Sequence, residues 1–216
     1  MSKIYVDTFS EMARKYGTYI VAGSTVLDTK YIYNNGSNRK GEVYNTSYVF
    51  DMDGKIIGKQ SKVHPIDLEL SEGLDLTPAP LTDIDVIKTP IGNIGIAICY
   101  DAFQEDVLDV LQEKGANILI QPSANPGQWT FEQQQSWMTG CYKAVVEEKR
   151  FRYAINPMLN GAAFDIEFYG QSSILSRDGD TKASFSQLPS SLGMEAIAKT
   201  DDTQEILVLT VPNPNK

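Results

Sequence analysis

The segment Ile91–Asp101 constrains the fold more than any other part of the chain. It is an apolar run punctuated by glycines, and it ends in a cysteine that polar residues follow at once. Ile94, Ile96 and Ile98 are β-branched and closely spaced, which indicates a buried strand. A helical pattern of apolar residues begins a few positions later. The segment therefore predicts a strand, a turn at Cys99 and then a helix.

Cys99 is predicted to lie where α/β folds usually place ligands and chemistry, at the C-terminal end of a strand. A turn into a helix has backbone N–H groups without helical partners, and these favour a thiolate and a developing oxyanion. Cys99 is therefore a candidate nucleophile, and a small buried hydrophobic residue is the alternative interpretation. Cys141, the second cysteine, falls in a predicted helix, and we expect it to be structural.

Composition and charge exclude several classes of protein. Hydrophobic residues make up 42% of the 216 residues and charged residues 22%, which is typical of one globular domain with a substantial core. The net charge of −9, without a long basic run, argues against binding to nucleic acid or to an anionic membrane. We find no transmembrane span and no secretion signal, and we expect a cytoplasmic protein. One histidine and two distant cysteines give no zinc site, and we expect no metal and no cofactor.

The hydrophobic patterning predicts a mixed α/β architecture in one domain. Helical periods occur at 7–16, 103–113 and 131–148. Pairs of strands are expected to form hairpins at 43–50 with 55–60, 84–88 with 94–99, and 171–176 with 181–185. Further strands are expected at 18–22, 117–121, 153–156 and 205–211. The segments 160–169 and 187–203 have no clear period and are expected to be loops.

A cysteine nucleophile needs a base or an electropositive partner, because the thiolate is the form that attacks. His64 is the only imidazole, and a lone histidine is more often structural or on the surface. Lys62 follows a predicted strand, as Cys99 does, and a lysine there could stabilise an oxyanion; a solvated lysine is the alternative. Glu72 lies in an acidic stretch and could position that amine or assist proton transfer; a charged surface loop is the alternative.

Taken in order, these residues resemble the nitrilase superfamily of carbon–nitrogen hydrolases. The matching segments, in chain order, are Tyr44–Ser47, Gly54–Gly58, Lys62–Pro65, Glu72–Gly73, Gly95–Asp101, Gln121–Asn125 with Trp129, Asn156, Gly161, Gly170–Ser173 and Asp178–Gly179. The resemblance covers nearly the whole chain, and ordered agreement at several places is more specific than any one of them.

The resemblance implies an αββα sandwich in a single domain over residues 1–216, and a Glu–Lys–Cys triad. Cys99 would attack an amide-type carbon and form a thioester, which water then hydrolyses. Lys62 and the backbone N–H of Tyr100 would hold the oxyanion, and Glu72 would assist. The resemblance also places two further residues on the substrate side, Asn125 and Trp129.

The family's general-base glutamate lies upstream of the segment that Asp7–Ser24 resembles. Glu11, an early acid of this sequence, falls within a predicted helix rather than after a strand, so we do not assign that role to it. We therefore expect an N-terminally truncated version of the family fold, without its first strand and helix, and slow turnover. The alternative is a non-catalytic remnant that acts as a ligand-binding or oligomer-forming domain.

The residues after the cysteine, Tyr100 and Asp101, resemble those of amide- and carbamoyl-cleaving members more than those of nitrile-cleaving ones. We therefore expect a small-molecule amide or carbamoyl substrate. A missing strand and helix would uncover apolar sheet surface, so we also expect a homodimer or a higher homo-oligomer.

Overall fold

The computed structural model describes residues 2–28, 42–70, 73–163 and 165–215. Contacts divide the chain into two compact units, Met1–Ile87 and Lys88–Lys216. The first has a helix and a four-stranded sheet, and the second has helices and a six-stranded sheet, which confirms the predicted α/β class. Among the described residues, no helix is both long enough and apolar enough to cross a membrane.

In its described residues, the first unit has an α-helix that packs against an antiparallel sheet. Its elements are α1 (Ser2–Tyr16), β1 (Ile20–Val21), β2 (Thr25–Asp28), β3 (Val43–Phe50) and β4 (Ile56–Ser61). Strand β3 pairs antiparallel with the three other strands. The rings of Tyr5 and Phe9 in α1 lie 6.2 Å from those of Tyr48 and Phe50 in β3, so aromatic side chains join the helix to the sheet.

The sequence predicted most of this unit. The hairpin of β3 and β4 is confirmed, and Gly54 in its turn has a φ of +75°, which favours glycine. Helix α1 ends at Tyr16 before Gly17, as predicted, but it begins at Ser2 rather than at residue 7. The additional turn is stabilised by packing that a helical period alone does not show, because Tyr5 contacts the sheet.

The second unit is built on the six-stranded sheet. Its strand order is β14 (Met194–Ile197), β11 (Ser173–Ser176), β8 (Tyr153–Asn156), β7 (Ile118–Ile120), β6 (Gly92–Ile96) and β5 (Ile87–Thr89), which begins at the boundary of the units. Strands β6, β7 and β8 are parallel, whereas β11 is antiparallel to both β8 and β14. Leu119, Ala154 and Leu175 of three adjacent strands are fully buried and form part of its core.

The helices of this unit are α2 (Glu105–Glu113) and α3 (Phe131–Trp137), and α3 continues as a π-helix (Met138–Glu147). The sequence predicted a single helix over 131–148. The structure differs at Gly140, whose φ of −88° and ψ of −125° are not helical. Because apolar residues recur on both sides of this position, the hydrophobic period does not reveal the break.

Three predictions in the second half of the chain were wrong. Strand β11 does not form a hairpin with 181–185, because it lies between β8 and β14, and β12 (Lys182–Ala183) pairs with β13 (Ser191–Leu192). The expected loops contain strands, since β9 (Gly161–Ala163) pairs with β10 (Ile166–Phe168), and 187–203 contains β13 and β14. The expected strand at 205–211 has no strand partner among the described residues. The choice of pairing partner decided the hairpin and the loops, and local patterning does not report which segments pair.

Candidate active site

Cys99 begins a short 3₁₀ turn, Cys99–Phe103, that follows strand β6 in the second unit. The predicted change from strand to helix at this residue is thus confirmed. The chain after the neighbouring strand β7 holds the turn in place, because the Cys99 N–H donates to the Pro122 carbonyl at 2.9 Å. The thiol is partly exposed, and its sulfur lies 3.9 Å from the Ala124 carbonyl oxygen.

The backbone of Cys99 is in the left-handed region, with a φ of +52°. A residue other than glycine adopts this conformation at a cost of about 1–3 kcal/mol, and it persists only where the surroundings fix it. Here the N–H is held by Pro122, and the carbonyl accepts a hydrogen bond from Nε2 of the buried Gln121 at 3.2 Å. A sharp strand-to-helix turn of this kind presents a nucleophile at the end of a sheet.

The backbone N–H of Tyr100 differs in its hydrogen bonding from the N–H groups next to it. The N–H groups on either side are used, since Cys99 donates to Pro122 and Asp101 donates to the Ile98 carbonyl at 3.1 Å. Among the residues that the structure describes, none accepts a hydrogen bond from the Tyr100 N–H. A backbone donor beside a thiol is the kind of group that stabilises an oxyanion.

Lys62, in the first unit, comes directly after strand β4, as predicted, and only 3% of it is exposed. Its ammonium forms an ion pair with the carboxylate of Glu69. The backbone of Lys62 is fixed on both sides, because its N–H donates to the Asn45 carbonyl at 2.8 Å and its carbonyl accepts from the Ala79 N–H at 2.9 Å. This lysine is therefore not the solvated side chain that the sequence left open.

Glu69 is a residue that the sequence analysis did not select from its acidic stretch. It lies in a 3₁₀ turn, Asp67–Glu69, and its carboxylate also accepts hydrogen bonds from Nδ2 of Asn45 at 2.9 Å and from the Ile66 N–H at 3.0 Å. Glu69 follows Ile66 by three residues, a spacing at which a carboxylate can accept from the backbone N–H at the start of a turn. This spacing is informative only when the position of the turn is already known. Glu72, the acid that the resemblance selected, lies outside the described residues.

Asn125 and Trp129, the two residues predicted on the substrate side, are both 3% exposed. The Asn125 amide donates to the Gly127 carbonyl at 3.3 Å. The Trp129 indole N–H donates to Oε1 of Gln171 at 3.1 Å, and its ring packs edge-on against Trp137, with centroids 5.4 Å apart. The structure thus places both side chains in the packed interior of the second unit.

The second cysteine differs from Cys99 in burial. Cys141 is 3% exposed in the π-helix, and desolvation by burial raises the pKa of its thiol to about 12. A thiol in that environment stays protonated and unreactive at neutral pH. Within the described ranges, no group of three or more His, Cys, Asp or Glu side chains could hold a metal ion.

The family model of the carbon–nitrogen hydrolases matches residues 4–201 of this chain. An omega-amidase of Saccharomyces cerevisiae, NIT3, is 33% identical over 124 residues, which are 55% of this chain and 40% of that protein. An omega-amidase of Xenopus tropicalis, NIT2, is 26% identical over 137 residues, which are 59% and 46% of the two chains. The matched parts thus cover less than half of these relatives' length.

Solved structures agree with this similarity. The crystal structure of Saccharomyces cerevisiae Nit3, a member of branch 10 of the nitrilase superfamily, superposes with a TM-score of 0.65 at 26% identity and covers 90% of this chain and 63% of its own. A carbon–nitrogen hydrolase from Helicobacter pylori G27 superposes with a TM-score of 0.64 at 24% identity, covering 89% and 64%. This second similarity concerns the fold alone.

Proposed function

Because the chain belongs to the carbon–nitrogen hydrolase family of the nitrilase superfamily, we propose that it hydrolyses non-peptide amides with Cys99 as the nucleophile. The turn at Cys99 carries the proposal. There, a left-handed backbone presents a partly exposed thiol next to the Tyr100 N–H, for which the described residues offer no acceptor. A nucleophile and an oxyanion donor on adjacent residues are two of the groups that acyl transfer uses.

In the proposed reaction, the Cys99 sulfur attacks the amide carbon and a C–S bond forms. The carbonyl oxygen takes up negative charge, which the Tyr100 N–H stabilises. The C–N bond then breaks, and the amine leaves with one added proton, so that a thioester remains on Cys99. Water attacks the thioester, the C–S bond breaks, and the acid and the free thiol are released.

The proposed role of Lys62 is to supply positive charge to the same oxyanion. Its ion pair with Glu69 supports this role, because a buried ammonium held by a carboxylate is fixed in position rather than free to turn into solvent. Glu69 is thus proposed as the residue that positions Lys62. The part in proton transfer that the resemblance gives to Glu72 stays a prediction.

The proposed substrates are small-molecule amides. Omega-amides are the first class to test, because two relatives are omega-amidases, and carbamoyl compounds are the second. A polypeptide of residues 1–216 is proposed to turn over slowly, because no glutamate in it has been matched to the family's general base. We also propose that the protein is cytoplasmic and that it forms a homodimer or a higher homo-oligomer.

The experiment measures the rate of ammonia release from a panel of omega-amides, simple amides, carbamoyl compounds and nitriles. Wild-type protein is compared with Cys99→Ala and with the matched control Cys141→Ala. We expect Cys99→Ala to lower kcat by about 10³-fold or more, since loss of a nucleophile removes the covalent route. Cys141→Ala should retain the wild-type substrate preference. Equal activity of Cys99→Ala and wild type would contradict the proposal.

A further inference from the structure

The side chain of Gln121 connects the nucleophile turn to the break in the long helix. Its Nε2 donates to the Cys99 carbonyl and its Oε1 accepts from the Cys141 N–H, both at 3.2 Å. Gln121 is completely buried. A carbonyl can only accept and an N–H can only donate, so these two partners fix which end of the amide faces which group.

The helix break supplies one of these partners. In a regular α-helix, the Cys141 N–H would bond to the carbonyl four residues earlier. The backbone at Gly140 is not helical, and here the Cys141 N–H donates to Gln121. A Cβ at position 140 would lie 3.1 Å from the Phe103 ring and 3.3 Å from Nε2 of Gln121, so a larger residue there would need these side chains to shift by a few tenths of an ångström.

The peptide group between Cys99 and Tyr100 is the one that Gln121 holds. A trans peptide is planar, and its C=O and N–H point in opposite directions. No peptide bond in the described chain is cis. Fixing the Cys99 carbonyl on Gln121 therefore directs the Tyr100 N–H away from Gln121. A hydrogen bond to the carbonyl also polarises the peptide and strengthens its N–H as a donor.

We infer that Gln121 is a positioning residue that aims the Tyr100 N–H at the oxyanion formed when Cys99 attacks a substrate. This inference rests on the proposed function, because it presupposes that Cys99 attacks a carbonyl carbon. The Gln121 side chain would affect the reacting atoms only through the Tyr100 N–H. Gln121 belongs to the segment that carried the family resemblance, but no pattern in the sequence assigned it a role.

The test compares two reactions of the same thiol. In the first, Cys99 attacks p-nitrophenyl acetate: a C–S bond forms, the ester C–O bond breaks, and p-nitrophenolate leaves with the electron pair while the thiol proton goes to solvent. This reaction passes through an oxyanion. In the second, iodoacetamide alkylates the thiol and iodide leaves, without an oxyanion. Both rates are measured on the full chain, and mass mapping locates the modified cysteine.

The variant Gln121→Met removes both hydrogen bonds at nearly constant size. We expect it to lower the rate of acylation by about 10- to 100-fold and the rate of alkylation by less than about threefold. The matched control is Gln134→Met. Gln134 is also completely buried, and its amide joins the Trp129 carbonyl at 3.0 Å to the Gln187 N–H at 2.8 Å. This control should leave the ratio of the two rates unchanged.

The variant Gln121→Glu gives a second readout. A protonated carboxyl can donate to the Cys99 carbonyl, whereas a carboxylate cannot, and either form can accept from the Cys141 N–H. The acylation rate of Gln121→Glu, divided by that of wild type at the same pH, should therefore rise as the pH falls. The alkylation rate of the same variant, divided by that of wild type, should change much less, whereas a purely structural effect of the buried carboxylate would change both ratios together with pH.

The inference is overturned if Gln121→Met acylates as fast as wild type, if acylation and alkylation fall together, or if the Gln121→Glu ratio does not change with pH. If Gln121→Met does not fold, the pH series of Gln121→Glu decides. Failure of the proposed function has a different signature, because wild-type protein would then show no acyl group on Cys99, and that result would remove the basis of the inference as well.

Discussion

Removing the carboxylate of Glu69 should destabilise the first unit strongly. In Glu69→Ala, the ammonium of Lys62 stays in an interior where that residue is only 3% exposed, without its ion-pair partner. The Asn45 amide and the Ile66 N–H lose an acceptor at the same time. Uncompensated burial of a charge is among the few mechanisms that give large single-mutant effects.

The magnitude follows from the burial of both partners. Breaking a buried ion pair by removing one side costs about 3–5 kcal/mol, and the three lost hydrogen bonds to one carboxylate argue for about 4 kcal/mol. Because a domain is stable by only about 5–15 kcal/mol, this is a large fraction of the total. Urea unfolding followed by circular dichroism measures it, whereas tryptophan fluorescence does not report on the first unit, because Trp129 and Trp137 are both in the second.

Two further variants distinguish the loss of the buried ion pair from the general effect of shortening a side chain. The double variant Lys62→Met with Glu69→Met should recover most of the stability, because an apolar pair of similar volume often equals or exceeds a buried ion pair. Lys55→Ala is the exposed control. Its ammonium lies 3.8 Å from Asp53, both side chains are at least 75% exposed, and its loss should change the free energy of unfolding by about 0.5 kcal/mol or less. If Glu69→Ala is no less stable than Lys55→Ala, the buried ion pair does not stabilise the first unit.

Further predictions concern reactivity, alkaline pH and the turns. Brief treatment with iodoacetamide should label Cys99 before Cys141, because burial raises the pKa of Cys141 to about 12; preferential labelling of Cys141 would refute this. Burial also raises the pKa of Tyr5 from 10.0 to about 12, so its contribution to stability is complete below pH 10 and is lost as the pH rises through about 12. Urea unfolding above pH 10 should therefore show a smaller loss for Tyr5→Phe than for wild type. Gly54→Ala should cost about 3 kcal/mol or more in urea unfolding, since φ is +75° and the new Cβ would lie 2.3 Å from a backbone oxygen of α1. Gly127→Ala, at +92° with no atom within 4 Å, should cost only about 1 kcal/mol, and equal losses would contradict the steric argument.

The sequence predicted the parts of the site that local patterns determine. A β-branched run before Cys99 and a hairpin before Lys62 are short-range signals, and both residues follow their strands as expected. Glu69 was missed because its role depends on a side chain that folds back to Lys62 through a turn. An acidic stretch looks the same in sequence whether its members are solvated or buried.

The errors in the fold have a similar origin. The expected strand at 205–211 contains a short continuous apolar run, yet the described residues offer it no strand partner, and such a run does not supply one. The break at Gly140 lies within a helical period that continues past it, and next to it the Cys141 N–H donates to the buried amide of Gln121. Contacts between residues distant in sequence decide such features, and the family resemblance did not extend to them.

The most direct test of the central claim is to trap the acyl group. Wild-type protein is mixed with a small omega-amide, quenched in acid within the first turnover, digested and mapped by mass spectrometry. If Cys99 is the nucleophile of carbon–nitrogen hydrolysis, the peptide containing Cys99 carries the acyl group of the substrate, and hydroxylamine removes it as expected for a thioester. Ammonia release without any acyl group on Cys99, or an acyl group on Cys141 instead, would contradict the mechanism.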